Sequence, residues 1–313
     1  MPKAIALTVG LNELHPDAYP GVSPLAGCEQ DAMRVAELAA RAGFEARGPL
    51  LSSKATRSDF IDEVLRVAGE LRGDGDIFLL HYAGHGSHWP DDPAGDRTHD
   101  EDDGRDETIC LYDGQMVDDE LLRLWAHFRP GVRILVLADC CHSGSLIRGR
   151  SLRSPVDDAP SSSTRGRGPD RSDAAVRGTR AGQGVAGAML RDRILDDREA
   201  ERAYNALSGF YVTEIRDKLR RMRPLALDDL PCGVLTIAAC EDYQTAKEEG
   251  TEGAFTRALI DVWDGGAFQG SYETFCNTIR ARIQSRYGQS PRILTGGHRG
   301  VTIEFARQRP FQI

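Results

Sequence analysis

A histidine and a cysteine, each preceded by an apolar run, carry the chemistry open to this sequence. His85 stands in His81-Tyr82-Ala83-Gly84-His85-Gly86, after Ile77-Phe78-Leu79-Leu80. Cys141 stands in Asp139-Cys140-Cys141-His142-Ser143-Gly144, after Arg133-Ile134-Leu135-Val136-Leu137-Ala138. Each run reads as a buried strand, and a parallel sheet presents the C-terminal ends of its strands to ligand. The two residues, 56 positions apart, are therefore expected side by side. A thiol beside an imidazole is a nucleophile beside a base, the equipment of a cysteine hydrolase. A free thiol with a pKa of about 8.5 is mostly protonated at neutral pH. His85 would take that proton and later give it to a leaving amine. Backbone N–H groups of Gly86 and Cys141 are the candidate oxyanion donors, and glycines on either side of His85 would let the chain approach a substrate closely. Cys140 points to the opposite face by strand alternation and is expected to be structural. His81 and His142 read as supporting residues, and His88 has no assigned part.

The elements that must position these residues alternate. Strands are expected over 4–11, 44–51, 76–82 and 132–138, with helices over 28–42, 58–71 and 118–128 between them. Such alternation implies a parallel sheet covered on both faces. Downstream, a helix is expected over about 199–221, a strand over 233–239, helices over about 254–263 and 272–286, and a last strand around 301–305.

A chain of 313 residues holds one large α/β domain or two small ones. A net charge of −9 argues against nucleic acid as a partner, and no apolar stretch approaches the ~20 residues of a membrane span. The first residues run straight into a strand, so no signal peptide is expected. Seven cysteines spread through a long chain do not resemble a secreted disulfide framework, and a reducing cytoplasm is the expected location.

The two motifs together resemble the metacaspases, relatives of caspases, which usually carry H-[YF]-S-G-H-G and D-[SC]-C-H-S-G. Further agreement lies in Leu25-Ala26-Gly27-Cys28 leading to Asp31-Ala32, in Asp106-Glu107-Thr108-Ile109, in Val117-Asp118-Asp119-Glu120 and in residues 240–246. The resemblance implies a caspase-like three-layer α/β sandwich, with a mostly parallel central sheet covered by helices on both faces. It implies a cysteine endopeptidase with Cys141 and His85 as its dyad, cutting after Arg or Lys. The pocket for the residue before the cut would be Cys28, Asp31 and Asp139, with Ala83 where the family usually has Ser. Two buried carboxylates call for a guanidinium or an ammonium. No cofactor is needed for the chemistry. The family binds calcium through three aspartates matching Asp106, Asp118 and Asp119; a fourth position in some members falls on Arg148, whose charge would oppose a cation. An EF-hand reading of the same acidic stretch fails, because Gly104 as its sixth residue puts His99 first and Cys110 twelfth. A monomer is expected by the same resemblance. Two other readings fit the residues: a catalytically weak signalling module on the same fold, and another Cys–His hydrolase with a narrow substrate.

Composition shifts sharply after the nucleophile. Residues 148–198 hold 11 Arg in 51 positions, against 24 in the other 262, with abundant Ser, Gly and Asp. Apolar residues there are too few to build a core, so a flexible insert is expected. The chain then divides into a large-subunit-like part (1–147), the insert (148–198) and a small-subunit-like part (199–313) completing one sheet. A pocket for Arg followed by an Arg-rich loop suggests a latent precursor activated by cleavage within the insert, by the enzyme itself or by an upstream protease.

Overall fold

A computed structural model describes residues 2–73, 75–90, 105–141, 150–151, 190–241 and 244–313. In chain order the elements are β1 (Ala4–Gly10), α1 (Cys28–Arg41), β2 (Glu45–Leu51), α2 (Arg57–Glu70), β3 (Ile77–Ala83), β4 (Gly86–Pro90), β5 (Arg105–Leu111), β6 (Gly114–Val117), α3 (Asp118–Trp125) and β7 (Arg133–Asp139). There follow β8 (Arg150–Ser151), β9 (Leu190–Asp192), α4 (Asp197–Ala206), α5 (Ser208–Phe210), α6 (Asp217–Arg221), β10 (Gly233–Ala238), β11 (Lys247–Glu249) and β12 (Glu252–Gly253). The chain closes with α7 (Ala254–Trp263), α8 (Tyr272–Tyr287), β13 (Arg292–Gly297) and α9 (Arg299–Arg307).

The central sheet runs in the order β2-β1-β3-β7-β10-β13-β8. The pairs from β2 through β10 are parallel, while β13 is antiparallel to both β10 and β8. Strand alternation splits the core into two halves. On β7, Leu135 and Leu137 face one half together with α1, α7, α8 and α9. Ile134, Val136 and Ala138 face the other, where α2 and α3 pack through Phe60, Val64, Leu121 and Trp125. A strand buried on both faces reads as a continuous apolar run, which is why these strands are visible in the sequence. From β1 the chain crosses to β2 on one side, and β3 lies on the other. The ends of β1 and β3 thus flank a switch point, where α/β sheets open a crevice.

Several expectations are corrected. Residues 301–305 are not a strand: Thr302, Phe305 and Ala306 are buried at helical spacing within α9, and the last strand is β13. Helix α2 begins at Arg57, with the Thr56 hydroxyl accepting from the Asp59 N–H (3.1 Å) as its cap. The expected helix over 199–221 is broken at Leu207 and wound more widely over Tyr211–Arg216. The described ends of the acidic stretch, His88–Pro90 and Arg105–Glu107, lie in β4 and β5 of an antiparallel sheet, β4-β5-β6, with Trp89 fully buried, and residues 91–104 lie outside the described residues. The end of the insert is ordered as well: β9 pairs with β11, which pairs with β12. The rest of the insert, apart from β8, lies outside the described residues.

Candidate active site

His85 occupies the short turn between β3 and β4. The Tyr82 hydroxyl lies within hydrogen-bond reach of the carbonyls of His85 (2.8 Å) and Cys110 (2.9 Å), and the Cys110 N–H donates to the His85 carbonyl (3.1 Å). These contacts fix the turn against β5. A Cβ at Gly86 would overlap the Cys141 carbonyl oxygen, and one at Gly84 would meet the Tyr82 hydroxyl at 2.5 Å. Gly86 therefore serves the close approach of the two motif loops and Gly84 the folding of the turn onto Tyr82, where the sequence had suggested approach to a substrate. Period-two alternation continues past β7: Cys140 packs with Ala138 in one half of the core and Cys141 with Leu137 in the other. Cys140 is structural, as expected.

The site is filled by the chain itself. Arg193, one residue beyond β9 and fully buried, has its carbonyl oxygen between the backbone N–H groups of Gly86 (3.1 Å) and Cys141 (3.2 Å). These are the two expected oxyanion donors. The Arg193 guanidinium reaches into the expected pocket. Its Nη1 meets Asp139 Oδ2 at 2.9 Å, and its Nη2 meets Asp31 Oδ2 at 2.6 Å. Cys28 and Ala83 pack with Leu25 as a small apolar cluster alongside. All of the pocket residues named from the sequence are thus brought to one place.

Three residues of this pocket went unnoticed in the sequence. Glu248 on β11 is fully buried, 3.5 Å from Arg193 Nη2, and accepts from the N–H groups of Ala26 (2.9 Å) and Gly27 (3.1 Å). It ties the small-subunit-like part to the loop that starts α1. Thr256 donates to Asp139 Oδ2 through its hydroxyl (2.7 Å) and its N–H (3.2 Å), and His81 Nε2 stands 3.3 Å from that hydroxyl. Gly253 forms the floor: its N–H donates to Asp31 (2.8 Å), and a Cβ there would lie 2.5–2.6 Å from Asp139, Arg193 and Asp31. No spacing signal marks Glu248, because it sits between two other charged residues, Lys247 and Glu249, on a three-residue strand.

Burial dominates the electrostatics. It pushes the Asp31 carboxyl up to about 7; the Arg193 guanidinium opposes the rise and the neighbouring Asp139 adds to it. Burial lowers His85 to about 4, against the upward pull of the Ser23 and Ile194 carbonyls, and lowers His81 to about 3. Both imidazoles are neutral at pH 7, so His85 is in the form that accepts a proton.

The dyad is not closed in this structure. His85 Nε2 donates to the Ser23 carbonyl (3.4 Å), while Cys141 Sγ accepts from the Ala246 N–H (2.9 Å) and lies against the Cys240 thiol. Attack on the Arg193 carbonyl carbon therefore requires the thiol to turn from Ala246 toward His85.

Among the described residues no group of three or more His, Cys, Asp and Glu side chains is arranged to hold a metal ion. Asp106 Oδ2 faces Arg216 Nη2 at 3.6 Å, and Asp118 Oδ1 accepts from the Asp119 N–H (2.8 Å). The Arg216 guanidinium, placed over the rings of Trp89 and Tyr204, supplies the positive charge beside Asp106. Among the described residues the three aspartates are thus not gathered into one carboxylate cluster. Arg148 lies outside the described residues.

A solved structure, that of protein GSU0716 from Geobacter sulfurreducens, superposes with a TM-score of 0.76 at 34% identity, covering 100% of this chain and 99% of that one. Metacaspase-1 of Lodderomyces elongisporus is 27% identical over 252 residues, and metacaspase-1 of Candida albicans 28% identical over 263. These alignments take in 78% and 80% of this chain, while the chain spans about half the length of either relative (53% and 54%). The fold is the caspase-like α/β fold. The family profile described as "Caspase domain" matches residues 3–297, and the chain belongs to that family of cysteine peptidases.

Proposed function

We propose that this protein is a cysteine endopeptidase that cuts after arginine, and that its first substrate is its own Arg193–Ile194 bond. One observation carries the reading: a single residue has its carbonyl on both oxyanion donors and its guanidinium between two buried carboxylates. An uncut peptide held this way is poised as a substrate. In the proposed reaction neutral His85 takes the Cys141 proton as Sγ bonds to the Arg193 carbonyl carbon. The developing oxyanion stays on the Gly86 and Cys141 N–H groups. The Arg193–Ile194 C–N bond then breaks, His85 passes its proton to the Ile194 nitrogen, and water hydrolyses the thioester.

Arginine is favoured over lysine because Nη1 and Nη2 meet different carboxylates, a span that one ammonium does not cover. The cut falls within the Arg-rich insert and makes the uncut chain a latent precursor. Seven free, buried cysteines support a reducing compartment, and among the described residues no helix is long and apolar enough to cross a membrane. The turned-away Cys141 thiol favours a second reading, a catalytically weak module on the same fold.

Mass spectrometry of the purified protein tests both. The proposal expects a fragment beginning at Ile194 that disappears in Cys141→Ala and persists in Cys140→Ala at no less than about a tenth of the wild-type rate, while His85→Ala should be as damaging as Cys141→Ala, since nucleophile and base act as a unit. A wild-type chain that stays whole and cuts no arginyl peptide supports the weak module.

A further inference from the structure

The structure assigns β11 and the residues before it as a docking edge that reads an acidic side chain immediately before the arginine. This inference rests on the peptidase reading and sets the substrate class more narrowly. β9 lies antiparallel on β11, with Asp192 opposite Lys247, Arg191 opposite Glu248 and Leu190 opposite Glu249. The pairing continues with the Arg193 N–H donating to the Ala246 carbonyl (2.9 Å). A segment running antiparallel along β11 into a catalytic cleft is strand addition. Its main-chain bonds give affinity, and its side-chain sites give specificity.

Asp192 occupies the position before Arg193, and two groups converge on one of its oxygens. Lys247 Nζ pairs with Asp192 Oδ1, and the Thr245 hydroxyl donates to the same atom (2.9 Å). Lys247 is held in place by its own N–H, which donates to Gln289 Oε1 (3.1 Å). It is one of four lysines in the whole chain. A cation and a hydroxyl donor in one spot favour a carboxylate and repel a basic side chain. The pair is part-exposed, with Asp192 at 47% and Lys247 at 22%, so the preference is graded. Exposed pairs of this kind change a rate by about two- to fivefold. By contrast, the neighbouring Arg191 donates to a carbonyl, that of Pro24 (2.9 Å), which sets no comparable charge preference.

Three fluorogenic peptides of the form Leu-Arg-X-Arg, with X as Asp, Ala or Lys, test this on the full chain after self-processing. The expected order in kcat/KM is Asp over Ala over Lys, with about tenfold between the ends. Lys247→Glu should reverse the order, and its rate on the Ala peptide reports any general damage. Equal cutting of the Asp and Lys peptides, or an order unmoved by Lys247→Glu, overturns the inference while leaving arginine specificity intact. Failure of the wild type to cut any of the three overturns the peptidase reading itself, and this inference with it. The uncut chain gives an independent measurement. Asp192→Lys should slow the appearance of the Ile194 fragment, and Asp192→Lys with Lys247→Glu should restore it; no restoration counts against the assignment.

Discussion

On the N-terminal side of the Arg193–Ile194 peptide the chain is held by charge: Asp31 and Asp139 on Arg193, Lys247 and Thr245 on Asp192. Two residues beyond Arg193 the hold is apolar. Leu195, 1% exposed, packs with Ala18, Tyr19, Cys110, Ala200 and Ala203, and its N–H donates to the Gly86 carbonyl (3.0 Å). The difference separates recognition from retention. Charge and hydrogen-bond geometry discriminate between side chains, whereas burial of a leucine in a cluster shared with α4 makes that side part of the fold. Under the proposed cut, the part of the chain that follows is thus built to stay, and the part that precedes is built to be read.

The largest blow to the charged side is expected from Gly253→Ala. Its methyl group would intrude on Asp31, Asp139 and Arg193 at once, and overpacking a filled site costs about 1–3 kcal/mol. The Ile194 fragment should form at least about a hundredfold more slowly, given the added loss of arginine seating. Gel densitometry over time measures it. Leu195→Ala strikes the apolar side instead: it should lower the unfolding free energy by about 2–5 kcal/mol, read by urea titration in a Cys141→Ala background. The charged side should remain seated there, so a loss of arginine specificity in Leu195→Ala would break the separation. Asp139→Ala, in turn, should cost more than about 2 kcal/mol of transition-state binding, about thirtyfold in kcat/KM for an arginyl peptide. A wild type that prefers Asp before the cut would refute the assignment.

Acid sharpens the comparison further, since titrating groups lie on the charged side. His81 and His85 are held near 3 and 4, below an unfolded value of about 6.5, so they stabilise the fold above that value and the contribution fades as pH falls toward 4. Asp31, raised to about 7 from an unfolded value of about 3.9, acts with the opposite sign: its contribution is complete below about 4 and is lost as pH rises through 7. Near pH 5 the two histidines outweigh the one aspartate. The three together should lower stability on acidification by on the order of 1 kcal/mol per pH unit. His81→Gln should flatten that slope, again by urea titration in Cys141→Ala.

The smallest effect is expected from chelation. With Arg216 beside Asp106, EDTA should change the cutting rate by less than about twofold, and a larger loss restored by Ca²⁺ but not Mg²⁺ would show that Asp106, Asp118 and Asp119 regroup around the ion.

Much of this site was legible because its parts hang on strands buried on both faces. Runs such as residues 77–80 and 133–138 have few alternatives to a parallel sheet, and the motif residues follow directly from them. Asp31, Asp139, Cys28 and Ala83 came from family likeness, and the structure brings them together around Arg193. What escaped notice depends on contacts distant in sequence. Glu248 bonds residues more than 220 positions away, at Ala26 and Gly27. Residues 301–305, Val-Thr-Ile-Glu-Phe, alternate like a strand, yet burial of Thr302, Phe305 and Ala306 selects a helix. β13 was hidden because it is a short strand ending in two glycines.

The strand that carries Arg193 into the site is only three residues long, and its first residue, Leu190, is exposed. Severing the peptide does not by itself remove it, because both fragments keep their anchors. An outside substrate therefore competes with a tethered rival held at a raised local concentration by its own chain. Under the proposed reaction, turnover of other proteins begins with the peeling of β9 from β11, and the rate of that peeling sets how quickly a cut molecule can accept an outside substrate.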